Sequence, residues 1–297
     1  DDLRGGFVKQ MYVLMKKILV SILFLAFFSS SIAQVDGVVQ EGEFGVTVGA
    51  AHYFGDINTN AAINRPKPAL GLFFRKQFGE YIALRLAVHY AQLGYSDVYS
   101  KNDFQKRRNL SFNSNLWEAT LQGDFNFMRF VPGEPEFGFT PYVTLGIGAF
   151  NYDPYAYLKG KKYFLRTLGT EGQGSSLYPG RKPYSAVAFC LPLGMGIKYN
   201  INPNINFSFE VAYRFTTTDY LDDVSSYYYP DAFETTLPDG SSTPWYALQD
   251  RSYETGDGVR IGTKGRQRGF RNQTDAYVIA EVGLAFTLTS YKCPTAK

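Results

Sequence analysis

The chain has 297 residues, with 30 Lys and Arg against 27 Asp and Glu, a formal net charge of +3 and a mean hydropathy of -0.21. That balance supplies no concentrated basic face and argues against a nucleic-acid partner. Two cysteines, Cys190 and Cys293, are too few for a disulfide-stapled scaffold, while aromatic residues reach 17%, more than a soluble core of this size needs.

Residues 1–14 include Asp1, Asp2 and Arg4, fit no signal n-region, and are read as an upstream extension outside the fold. Residues 15–33, MKKILVSILFLAFFSSSIA, set two lysines before an apolar stretch at 18–28 and end in small residues before Gln34. This is the pattern of a secretory signal peptide, so residues 1–33 are expected to be removed and 34–297 to form a single domain. The removed segment carries Arg4, Lys9, Lys16 and Lys17 against Asp1 and Asp2, leaving 26 bases and 25 acids. No cysteine follows the cleavage site, which argues against a lipoprotein.

No later segment offers the roughly 20 unbroken apolar residues of a membrane helix, but several offer about ten residues of alternating character. Strands are expected at 44–54, 68–78, 81–90, 117–127, 141–150, 187–197, 205–215 and 278–288. Alternation is cleanest at 117–127, where Trp117, Ala119, Leu121, Gly123, Phe125 and Phe127 oppose Glu118, Thr120, Gln122, Asp124 and Asn126. It recurs at 205–215, where Ile205, Phe207, Phe209, Val211, Tyr213 and Phe215 oppose Asn206, Ser208, Glu210, Ala212 and Arg214. In 187–197 and 278–288 small residues such as Ala188, Cys190, Gly194 and Gly283 share the inner face with Glu281.

Eight strands is an even count, as a single-chain bacterial barrel requires. The links 79–80, 131–139 and 200–204 are short, whereas 55–67, 96–113, 153–184 and 216–274 are long. Short turns at one end and long loops at the other are a barrel signature with no counterpart in a soluble β-sandwich. The expected fold is therefore all-β, an eight-stranded antiparallel transmembrane β-barrel in the bacterial outer membrane, in contact with outer-membrane lipid. Cys190 falls in a strand and Cys293 in a C-terminal tail on the other side of the membrane, so no bond between them is expected.

An eight-stranded barrel has room inside only for its own side chains. Arg85, His89, Glu118, Asp124, Lys198, Glu210, Arg214 and Glu281 are placed on the inner face. Mixed charges there are read as a paired plug rather than as an ion path, because an unpaired buried charge is costly. Only His52 and His89 could act as a general base, and no serine lies near His52 in sequence, so an enzyme is not expected and neither a cofactor nor a small-molecule substrate is evident.

Asp219, Asp222, Asp223 and Asp231 cluster in TDYLDDVSSYYYPD. They lack the ligand register of a calcium loop and are expected to be solvated or salt-bridged. Arg260, Lys264, Arg266, Arg268 and Arg271 are the expected partners, either for these acids or for anionic lipid headgroups, and the run Lys106, Arg107, Arg108 has the same two readings.

Five strings occur in order along the mature chain: HYFGDIN at 52–58, RRNLSFNSNLWE at 107–118, LGTEGQG at 168–174, TDYLDDVSSYYYP at 218–230 and YKCP at 291–294. Together they resemble the PorG-like outer-membrane barrel family, a component of the type IX secretion system. The resemblance implies a non-enzymatic barrel that anchors or positions the periplasmic ring formed by PorK- and PorN-like proteins. The tail, with Lys292, Cys293, Pro294 and Lys297, extends past the last strand and is the candidate ring contact. The alternative from another class is a ligand-binding or adhesin-type barrel acting through its outer loops, with LGTEGQG or the aspartate string as its surface.

Overall fold

The computed structural model describes residues 38–256 and 258–291. The expected signal segment and the tail residues Lys292, Cys293, Pro294 and Lys297 lie outside them. Eight long strands form the wall: β1 (Val38–Phe54), β2 (Lys67–Gln77), β3 (Ile82–Ser96), β4 (Ser111–Asn126), β5 (Phe139–Tyr152), β8 (Val187–Asn202), β9 (Ile205–Thr216) and β10 (Ala276–Tyr291). Hydrogen-bonded neighbours run β3-β2-β1-β10-β9-β8-β5-β4, and a β3–β4 ladder closes the ring. Every wall strand thus has two neighbours and no edge is left open to lipid. No described helix is long and apolar enough to cross a membrane.

Alternation decides which side chains face in. Along β4 the burial alternates without interruption from Asn115 to Asn126, with Trp117, Leu121 and Phe125 exposed and Glu118, Gln122 and Asp124 buried. The same period governs β3, where Leu84, Leu86 and Val88 face out and Arg85 and His89 face in. The outward set forms an apolar belt edged by aromatics: Phe74, Phe125, Phe127 and Tyr199 toward the short turns, Trp117, Phe189 and Phe215 toward the long loops. This is the inside-out polarity of a transmembrane barrel.

Two local features of the wall follow from single residues. The β5–β8 register passes from Leu145↔Leu193 to Gly148↔Cys190, skipping Pro192, which has no N–H to donate. Gly71 faces His89 across the β2–β3 ladder, and a Cβ there would meet the His89 Cδ2 at 2.4 Å. Glycine is therefore the residue that admits the imidazole at this level.

The long connections are more ordered than loops read from composition would be. The segment between β5 and β8 contains a hairpin, β6 (Tyr155–Leu158) with β7 (Lys161–Phe164), and a short helix α2 (Leu165–Leu168). Two other short helices, α1 (Asp103–Arg108) and α3 (Pro244–Gln249), lie in the β3–β4 and β9–β10 connections. The β3–β4 ladder continues to Ser96↔Ser111, past the expected strand end at residue 90. Above Tyr90 the half-exposed positions become polar, at Gln92 and Ser96, while the inward positions Ala91, Leu93 and Tyr95 turn apolar. This wall rises out of the apolar belt and supports a cap, in which Leu110, Phe112, Leu165, Leu221, Val224 and Leu248 join Tyr53, Tyr152 and Tyr277 in one buried apolar cluster.

Candidate functional site: a filled lumen beneath a folded cap

The eight lumen residues expected from the sequence converge in the barrel. Asp124, supplied by β4, lies 2.9 Å from Lys198 Nζ, 3.6 Å from Arg85 and 3.7 Å from Arg75. Arg85 also reaches Glu210 at 2.6 Å, and the Tyr142 hydroxyl donates to the same carboxylate at 2.6 Å. One level toward the cap, His89 stands between Glu118 at 3.1 Å and Glu281 at 3.4 Å. Arg214 lies 3.4 Å from Glu118, and the Tyr277 hydroxyl donates to that carboxylate as well.

The register explains why so many charges are compatible. Arg75 and Arg85 are direct cross-strand partners, as are Glu210 and Glu281, and like charges so placed repel. Asp124 spans the two arginines; Arg85 and His89 take the two glutamates separately. Five buried acids, Glu43, Glu118, Asp124, Glu210 and Glu281, face Arg75, Arg85, Lys198 and Arg214, with His89 set between two of the acids. Each buried charge has an opposite charge within contact, the condition under which ionised groups persist away from water.

Two members were not anticipated. Arg75, fully buried, donates from Nε to Glu43 at 2.8 Å, and Asn206 donates to the same carboxylate. Glu43 lies one residue before the expected start of the first strand, and the two faces of 68–78 carry too few polar residues to reveal an inward arginine. The alternation of Leu70, Leu72 and Phe74 on the outer face is the signal that sets Arg75 inward.

The outer histidine and much of the acidic string are built into the cap. His52 is buried, and its Nε2 lies 2.7 Å from the Ala62 carbonyl, so it ties down the β1–β2 connection. Asp222 and Asp223 are buried rather than solvated, and Asp219 is half-buried. Asp222 accepts from the Tyr53 hydroxyl and from Val224 N–H at 2.8 Å, and none of the expected basic residues pairs with it. Asp223, held at φ 68, accepts from Tyr184 at 2.7 Å and from Thr170, with Arg268 at 3.6 Å. Only Arg268 and Lys264 take up the expected pairing, the latter at 2.8 Å from Asp231. Asp222 is neither solvated nor salt-bridged among the described residues, because a cap with its own apolar core buries it, and no local pattern announces that burial.

Two arginines tie the cap together. Arg108 makes a two-pronged contact with Asp97, both bonds 2.7 Å, and donates to the Asp56 carbonyl at 3.0 Å. Arg268 joins Glu171 at 3.2 Å to the Gln249 carbonyl at 3.1 Å. Acids still outnumber bases here, and burial shifts several of them upward. It takes Asp56 and Asp223 to about 6 and Asp219 to about 8, and it raises Asp222, which also faces the charge of Asp56, and Asp275, which also faces that of Asp222.

No curated protein matches this sequence. Among solved structures, the N-terminal β-barrel domain of Pseudomonas aeruginosa OprF aligns at 11% identity over 84% of this chain and 100% of its own, with a TM-score of 0.35. Neisserial surface protein A aligns at 10% identity over 85% and 99%, TM-score 0.40, and Yersinia pestis Ail at 11% over 84% and 99%, TM-score 0.38. The closed ladder of the chain itself defines the fold. A family model matches residues 16–250, most of the chain, and by that match the protein belongs to the family described as Domain of unknown function (DUF6089).

Proposed function

We propose that this is a non-conducting barrel of the bacterial outer membrane that anchors or positions the periplasmic ring of the type IX secretion system. The observation that carries the non-conducting part is the lumen. Its arginines, lysine and carboxylates lock one another across the full bore, so solute passage would require breaking several buried ion pairs. A barrel closed in this way acts through its ends. The membrane location is supported by the apolar outer belt and the signal-type segment at 15–33.

The secretion role is supported by the resemblance of the five sequence strings to the PorG-like family and by the residues Lys292, Cys293, Pro294 and Lys297 that follow the last strand in sequence. The test is to delete residues 292–297 from the chromosomal copy, solubilise membranes, and recover the barrel. PorK- and PorN-like proteins should co-purify with the intact barrel and be lost from the truncated one. Unchanged recovery, together with normal secretion in a full deletion strain, would remove the role.

A second reading, a surface-binding barrel, is favoured by one observation: the long connections fold into a cap with its own buried core instead of extending as separate loops.

A further inference from the structure

We propose that the cap carries an oxyanion-binding cleft, formed where the LGTEGQG and TDYLDDVSSYYYP strings meet, that takes a carboxylate, sulfate or phosphate group free in solution or borne on a sugar. The cleft, about 320 Å³ in volume, is lined by Gln173, Arg181, Lys182, Tyr220, Ser226 and Arg271.

Its floor is assembled around Glu171. That buried carboxylate accepts from Ser225 and Ser226 N–H at 2.9 and 3.0 Å and from the Ser226 hydroxyl at 2.6 Å. Arg268 and Arg181, each at 3.2 Å, neutralise it. Gly169 makes the turn that brings this string back on itself: at φ +65, a Cβ there would meet the Gln173 carbonyl oxygen at 2.3 Å.

Two donors in this lining are left over. Gln173 is 5% exposed, and its Oε1 accepts from Glu171 N–H at 2.9 Å, which fixes the amide; its Nε2 has no hydrogen-bond partner. Arg181 spends its Nη atoms on Tyr229, Glu171 and Ser226, while its buried Nε has no partner. A buried N–H without an acceptor costs free energy that a bound oxygen would recover. Lys182 and Arg271 stand exposed at the rim and form no ion pair among the described residues. With Glu171 already matched by two arginines, the cleft is left with excess positive charge facing solvent. Unfilled donors and uncommitted cations in the lining of one cleft are the arrangement that recognises an oxyanion. Beside them, Tyr220 is held in place by stacking on Tyr184, centroids 4.5 Å apart and planes 8° apart.

The test uses the full mature chain in detergent micelles, titrated at constant chloride with inorganic sulfate, glucuronate and, as the neutral control, glucose. Saturable binding of sulfate or glucuronate is expected, and whichever binds tighter identifies a free or a sugar-borne anion. Lys182→Gln and Arg271→Gln should each weaken it about threefold and the double variant about tenfold, the scale of solvent-facing charge contacts. Gln173→Glu keeps the acceptor for Glu171 N–H and should abolish binding; if that variant misfolds, the rim double variant decides. Absence of saturable anion binding, equal binding of glucose, or wild-type affinity in the rim double variant would overturn the proposal. None of these outcomes bears on the short-turn end, so the ring-docking reading stands or falls separately.

Discussion

The wall and the cap solve the problem of burying charge in opposite ways. In the wall, apolar residues face outward and the buried interior is ionic, with Asp124 and Glu118 each shared among several cations. In the cap, the interior is apolar around Leu110, Phe112, Leu221 and Leu248, and the carboxylates outnumber the arginines that reach them. The wall is charge-matched and the cap is not. The difference teaches where each region should fail: the wall when a single shared ion is removed, the cap when its surplus acids ionise.

The largest expected effect is therefore Asp124→Ala. It leaves Lys198 buried without its ion-pair partner and takes one of two carboxylates from Arg75 and from Arg85, and should cost about 3–5 kcal/mol, the range for breaking a buried ion pair, read from urea unfolding of the refolded barrel by gel mobility. Arg108→Ala leaves Asp97 buried without its two bonds. It should cost about 3 kcal/mol locally, appearing as protease cleavage in the 97–110 connection while the barrel's gel mobility is unchanged. Loss of barrel mobility in that variant would mean that cap and wall unfold together and the contrast is false.

Gly71→Ala comes next, at about 1–3 kcal/mol, because the new methyl overpacks the His89 ring. A smaller and purely cap-borne effect is expected from pH. Carboxyls held above their ordinary value bind protons more tightly folded than unfolded, so their contribution is fully present in acid. It is lost as pH rises from 3.8 through about 6 for Asp56 and Asp223 and about 8 for Asp219. Amide exchange in residues 217–275 should be faster at pH 8 than at pH 5 after correction for intrinsic rates, while exchange in β3 and β4 keeps the same protection. Smallest of all, Glu80→Ala, which removes an exposed pair with Arg129 at the β2–β3 turn, should leave the unfolding midpoint unmoved.

How much of this was readable in advance follows from the range of the forces. Period-two alternation is local, so 117–127 and 205–215 disclosed both faces and placed Glu118, Asp124, Glu210 and Arg214 in the lumen. Loop-length asymmetry disclosed the two ends. Arg75 and Glu43 were missed where polar residues were too sparse to mark a face. The cap was missed for a different reason: burial of Asp222 and Asp223 depends on Tyr53 from β1, Thr170 from the β5–β8 connection and Arg268 from the β9–β10 connection, contacts more than 40 residues apart. A charge-rich loop and a folded cap have the same composition, and only the tertiary packing separates them.

Single-channel recording of the mature protein in planar bilayers tests the filled lumen most directly. The account predicts a silent membrane at neutral pH, with current appearing only when Asp124 or Glu118 is removed. Stable ohmic openings from the unaltered protein would contradict it.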